Sequence, residues 1–126
     1  MVNDSPRERD IQERTFTFAC RVIDLCEVLF RRGRVASHLA GQLLDAGTSV
    51  GANMMEADAG QTKPDFIAKT CIARKEVRES HYWLRLIAYA VRPNPPEVNG
   101  LRDEASQLDK ILSKIVYVAR STPKRG

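Results

Sequence analysis

Apolar residues recur along this chain in steps of three and four, and four such rows follow one another, divided by charge runs and turn formers. No stretch sustains the period of two that marks a half-buried strand. The pattern therefore predicts an all-α fold, an antiparallel up-down-up-down four-helix bundle with helices over about residues 10–32, 35–57, 64–91 and 96–121. At 126 residues the chain is long enough for one core and reads as a single bundle domain over residues 1–126.

In the first predicted helix, Phe16, Cys20, Ile23, Glu27 and Phe30 track one face, and Phe18, Val22, Leu25 and Leu29 a second. The polar stripe left over, Asp10, Arg14, Thr17, Arg21, Asp24 and Arg31, is narrow. A bundle helix with so thin a solvated stripe has a neighbour on each flank, so a subunit interface and an assembly larger than a dimer are expected. Gly33 ends this helix, and the short turn after it favours antiparallel neighbours.

The second row runs Ala36, Leu39, Leu43, Gly47, Val50, Met54, Ala57 without a miss. Gly47 and Gly51, one turn apart, suggest a close helix crossing, since each costs about 1 kcal/mol relative to Ala inside a helix. Past Gly60, Thr62 is a candidate N-cap, and Pro64 falls near the first helical position, where its missing N–H costs nothing. The third inward row is Phe66, Thr70, Ala73, Val77, Ser80, Leu84, Ala88 and Val91, and RPNPP stops it. The fourth is a heptad, Val98, Leu101, Ala105, Leu108, Leu112, Ile115 and Ala119, with Gly100 in its first turn. The basic tail STPKRG is expected to fray.

Composition changes little in this picture. Hydrophobic residues at 43% and charged residues at 29% are ordinary for a globular chain. A formal charge of +4, from 20 basic and 16 acidic residues, permits an anionic partner without demanding one. The N-terminal MVNDSPRERD has no apolar leader core, and no apolar run nears the roughly 18 residues of a membrane span, so a cytoplasmic protein with no membrane partner is expected. Cys20, Cys26 and Cys71 are odd in number and lack CxxC spacing, which argues against a disulfide framework or zinc site; they read as small core residues.

Three polar constellations remain. On the second helix Gln42, Asp45, Ser49, Asn53 and Glu56 fall on one flank, either a ligand ledge or a hydrogen-bonded seam against a neighbouring helix; the seam is the simpler reading. On the third, Glu76 and Glu79 share a flank with Ile72, Trp83 and Ile87, an apolar setting in which a carboxylate needs a partner or a raised pKa. Buried salt bridges account for them better than a di-metal centre, which would use Glu-x-x-His repeats that are absent; His81 follows Glu79 by the wrong spacing, and His38 stands alone. No nucleophile with a base, Walker loop or GxGxxG is present, so neither an enzyme nor a cofactor is expected. The opposite flank of the third helix carries Arg74, Arg78 and Arg85 with Lys75, His81 and Tyr82 nearby. Basic groups interleaved with rings suit phosphates and unpaired bases, and equally a solvated face paired with acids of the first or fourth helix. A helix-turn-helix in RVASHLAGQLLDAGTSVGAN is discarded, because no turn residue interrupts its row.

SVGANMMEADAG followed by QTKPDFIAKTCIARKEVRESHYWLRLI resembles the four-helix bundle family encoded by intervening sequences within bacterial 23S ribosomal RNA genes. The likeness runs from Phe18 through the fourth helix and is strongest between Ser49 and Ile87. Ser49, Asn53, Glu56, Gly60, Phe66, Glu76, Glu79 and Leu84 fit its recurrent motif. Met54, Met55, Glu56 and Ala57 stand where the family usually has Ile-Ala-Glu-Gly, and Thr62, Lys63, Pro64, Asp65 and Phe66 depart from its Ser-Lys-Glu-Phe entry. The resemblance implies a compact bundle that assembles as a ring-shaped homopentamer. A related branch serves as accessory to the reverse transcriptase of diversity-generating retroelements, binding enzyme and nucleic acid through a basic surface. The function expected is thus a non-catalytic oligomeric adaptor for RNA or a nucleic-acid enzyme, with Arg74, Lys75, Arg78, Tyr82 and Arg85 as its contacts; the alternative is a protein scaffold that binds no nucleic acid.

Overall fold

A computed structural model of the protein describes residues 6–60 and 62–121, with side chains from Asp10 onward. Among them are four helices, α1 (Pro6–Leu29), α2 (Arg34–Asp58), α3 (Lys63–Ala90) and α4 (Glu97–Ser121), and no strand. The tail beyond Ser121, expected to fray, lies outside the described residues. Chain neighbours pack together, α2 with α3 most extensively, then α3 with α4 and α1 with α2; α1 and α4 meet over the thinnest seam. The result is an up-down-up-down four-helix bundle.

The buried row of α1 is Phe18, Val22, Leu25 and Leu29, joined by Ile11, Thr15 and Cys26. The other apolar row points outward: Phe16 is 65% exposed, Ile23 42% and Phe30 44%. The stripe expected to be solvated is instead partly a seam. Arg14 donates to both carboxylate oxygens of Glu104 on α4, at 2.7 and 3.1 Å, and to Gln107. Arg21 lies over Gly100, where a Cβ would come within 3.1 Å of its guanidinium. With α4 met through arginines, the apolar ridge on the far side of α1 has no neighbour among the described residues.

Helix ends differ by a few residues from the periodicity. α1 starts at Pro6, a residue suited to a first turn, and closes at Leu29, where Arg31 and Arg32 bond back three residues and tighten the chain into the turn. Gly33 then takes φ +104°, open to glycine at little cost, and α2 starts on the next residue. Thr62 caps α3 by accepting from the Asp65 N–H at 3.2 Å, with Pro64 in the first turn. Val91 is extended ahead of the prolines and ends α3.

All seven residues of the α2 row are buried. Gly47 packs directly on Val22 of α1 and Gly51 on the backbone of Thr15, so the crossing is as close as two glycines suggest. Buried hydroxyls on α3 are satisfied within the helix, Thr70 donating to Phe66 O and Ser80 to Glu76 O, both at 2.8 Å. In α4 the heptad holds to Leu112 and then slips: Val116 is buried where Ile115 and Ala119 are only half-buried. A straight helix drifts about 20° per heptad, enough to rotate the next residue inward after two repeats. Ile87, grouped above with the glutamates, is likewise fully buried.

Candidate nucleic-acid interface

α3 buries Ala73, Val77, Ser80, Leu84 and Ile87 against α2 and α4. Counting 100° per residue from that row, Lys75 and Tyr82 project outward, and Arg74, Arg78 and Arg85 lean toward α4. Arg74, Lys75, Arg78 and Tyr82 line one concavity of about 370 Å³ together with Cys71, Glu79 and Trp83. Tyr82 is half-exposed and meets Trp83 edge to face, ring centroids 5.3 Å apart. Arg85 is not part of this concavity.

A second depression, about 350 Å³, lies between α3 and α4 and is lined by Val77, Arg78, His81, Ala105, Ser106 and Asp109. Arg78 borders both. Its Nε donates to the two carboxylate oxygens of Asp109 at 3.1 and 3.2 Å. This is the pairing with an acid of the fourth helix weighed above, realised for one arginine of the flank. Further along, Arg120 of α4 reaches Cys71 Sγ at 3.7 Å. At the other end Arg85 and Arg102 both act on His81. Burial first, and then the charges of Arg102 and Arg85, hold the imidazole below its ordinary range, with Asp109 pulling the other way.

The basic flank of α3 thus becomes one wall of a groove whose other wall is α4. From Cys71 to Arg85 it runs on the order of 20 Å at the helical rise. Arg102 and Arg120 belong to it and were missed by reading one helix at a time. Their signal was the stripe Arg102, Ser106, Asp109, Ser113, Arg120 along one side of the α4 heptad. Antiparallel pairing lays that stripe alongside Arg74, Arg78 and Arg85.

The other constellations look less like sites. On α2, Ser49 donates to Asp45 O at 2.6 Å and Asn53 to Ser49 O at 2.8 Å, so both bond to their own helix rather than to a neighbour. The α2 flank reaches α3 through Glu56, which pairs with Lys69 at 2.9 Å. Gly60 sits in the α2–α3 turn, where a Cβ would press to 3.1 Å on Ala57 O, and Phe66 is half-buried in the first turn of α3. Neither Glu76 nor Glu79 has an ion-pair partner among the described residues, contrary to the salt bridges expected for them. Glu76 instead responds as an unpaired carboxylate must: desolvation, and then the charge of Glu79, push its pKa up. Among the described residues no three His, Cys, Asp or Glu side chains gather where they could hold a metal ion. Cys26 is buried and donates to Ala40 O at 3.3 Å, with burial pushing its thiol up to about 12. No helix among the described residues is long and apolar enough to cross a membrane.

Comparison with known proteins follows the same line. The model of the 23S rRNA-intervening sequence protein family matches residues 7–114. Among solved structures the chain is similar to a protein of unknown function from the S23 ribosomal protein family of Bacteroides thetaiotaomicron VPI-5482. The TM-score is 0.80, with 29% identity over 88% of this chain and 98% of that one. No curated protein matches the chain.

Proposed function

The chain belongs to the 23S rRNA-intervening sequence protein family, and from that premise we propose that it is a non-catalytic, self-assembling four-helix adaptor that binds RNA along the α3–α4 groove. One observation carries the reading: antiparallel pairing sets Arg74, Arg78 and Arg85 of α3 alongside Arg102 and Arg120 of α4, with Arg78 paired to Asp109 across the two helices and Arg120 reaching Cys71. Such a row tracks a phosphate backbone, and Tyr82 beside it offers a face on which an unpaired base can stack.

Self-assembly is the second half of the proposal. Phe16, Ile23 and Phe30 recur every seven residues on the outer side of α1, with Cys20 and Glu27 between them, which is the seam of a helix that meets another helix. Among the described residues no element covers it. The homopentamer expected from the family resemblance is the specific form of this assembly, and repetition around a ring would multiply the weak phosphate contacts of each groove.

Filter binding to a structured RNA tests the first half. Wild-type protein is expected to retain the RNA at low salt, and Arg78→Ala combined with Arg85→Ala to lose most of that retention. No retention, or retention unaffected by the double substitution, would refute it. Pulldown from cells that recovers protein but no RNA would favour a partner such as a nucleic-acid enzyme, or a scaffold without nucleic acid.

A further inference from the structure

On the outer side of α3 the steps of three and four carry no aliphatic residue. They carry Lys75, Arg78, Tyr82, Arg85 and Tyr89, all five exposed. At 100° per residue these fall within about 80° of arc, roughly opposite the buried row that includes Ala73, Val77 and Leu84. The stripe is about 20 Å long and holds no acid. An ordinary solvated helix face mixes the two signs and gains from pairs of opposite charge a turn apart. Here cations and rings share the stripe instead. Among the described residues Arg78 pairs with Asp109, and neither Lys75 nor Arg85 is in an ion pair.

Both rings are open. Tyr89 is 75% exposed and meets no other ring among the described residues; Tyr82 is 52% exposed and meets Trp83 edge to face, which leaves it at least one open face. The stripe also continues past the end of α3. Arg92 Nε donates to Tyr89 O at 3.5 Å, and Arg32, from the turn between α1 and α2, donates to Pro93 O at 3.0 Å. Two more exposed guanidinium groups thus stand beside Tyr89, neither of them in an ion pair among the described residues.

We propose that this outer stripe is a track for single-stranded RNA, in which Tyr82 and Tyr89 stack on unpaired bases while Lys75, Arg85, Arg92 and Arg32 hold the phosphates. The proposal rests on the RNA reading and adds to it the form of the RNA and a second row of contacts outside the groove. In a duplex the faces of the bases are covered by their neighbours, so the two rings select a single strand. They lie two turns apart, about 10 Å, roughly three times the 3.4 Å rise of a stacked strand. The bases they take are therefore not neighbours in one stack, and the strand is drawn out along the helix. Rings set singly among cations suit flat bases better than a lipid surface, which takes a broad apolar face.

Fluorescence anisotropy on the full chain tests this with labelled oligouridylate, alone and annealed to oligoadenylate. The single strand should bind roughly tenfold more tightly than the duplex. Tyr89→Ala should melt like wild type and cut single-strand affinity by roughly tenfold, the scale of one base stacked on a ring. Tyr89→Phe, which keeps the ring face, should restore it. The salt slope should be the same in Tyr89→Ala as in wild type and smaller by about 0.7 in Arg92→Gln, which separates stacking from phosphate contact. Equal affinity for both forms, a Tyr89→Ala protein that binds like wild type, or a loss that Tyr89→Phe does not restore overturns the track. The groove reading then stands if Arg102→Ala, outside the stripe, still weakens RNA binding. Binding of neither form overturns both readings, and Tyr89-dependent binding to phosphatidylserine vesicles in that case makes the stripe a membrane contact.

Discussion

Arg78 of α3 and Asp109 of α4 face each other across the groove, the guanidinium Nε donating to both carboxylate oxygens. The pair is exposed on the arginine side and half-buried on the other, so it contributes less than about 1 kcal/mol to stability. Its greater effect is on potential, because Asp109 ties up the arginine at the centre of the basic row.

Asp109→Asn is therefore expected to strengthen RNA binding, by roughly three- to tenfold for one arginine released. The melting temperature should stay close to wild type. Fluorescence anisotropy and thermal denaturation of the same preparation check the two halves, and a weaker affinity in Asp109→Asn would show that the carboxylate itself contacts the ligand.

The α1–α2 crossing makes a sharper demand on volume. A Cβ at Gly47 would sit 2.9 Å from both methyl groups of Val22, a stiff, fully buried side chain, whereas at Gly51 the closest approach is 3.4 Å to Thr15. Gly47→Ala should destabilise the protein by about 1–2 kcal/mol, overpacking outweighing the gain in helix propensity. Gly51→Ala should be neutral or stabilise by up to about 1 kcal/mol. Urea denaturation of both variants decides, and equal effects would mean that the crossing relaxes.

Glu76 carries a pH dependence opposite to that of most carboxylates. With its folded pKa raised, the stability it contributes is full below the unfolded glutamate value near 4.3 and is lost as pH rises through the folded value. Glu76→Gln should thus melt above wild type at pH 7 and level with it at about pH 3.5. A variant less stable at pH 7 would reveal a partner for the carboxylate in the assembly.

On α1, Ile23 lies midway along the exposed seam between Phe16 and Phe30. Ile23→Asp should weaken self-association by more than about thirtyfold per interface while leaving helicity unchanged, because the side chain supports no core within the chain. Sedimentation velocity at micromolar concentration should show wild type larger than a dimer and the variant smaller. A monomeric wild type would remove the assembly.

Much of this molecule was legible in its sequence. The step of three and four named seven of the nine buried residues of α2, all but Ala40 and Ala46, and most of those of α3, because one face of each helix has one job. It was ambiguous where a helix serves two. Both faces of α1 are apolar, and periodicity does not say that Phe18, Val22 and Leu25 turn inward while Phe16, Ile23 and Phe30 turn out. Long side chains were harder still. Arg74, Arg78 and Arg85 were visible as a flank, but Arg102 and Arg120 join them only through the antiparallel pairing of α3 with α4, and the Arg78–Asp109 pair depends on that register too. The seam expected at Ser49 and Asn53 dissolved for a local reason, since short polar side chains found the carbonyl four residues back.

Adaptor binding through the groove is tested most directly by the dependence of RNA affinity on salt. For phosphate contacts made by arginines, log K should fall linearly with log salt, and the slope should shrink by about 0.7 for each arginine removed from a single-stranded site. Wild type compared with Arg85→Ala and Arg102→Ala should show that stepwise loss. A slope near zero, or one unchanged in both variants, would contradict a role for the α3–α4 groove in holding RNA.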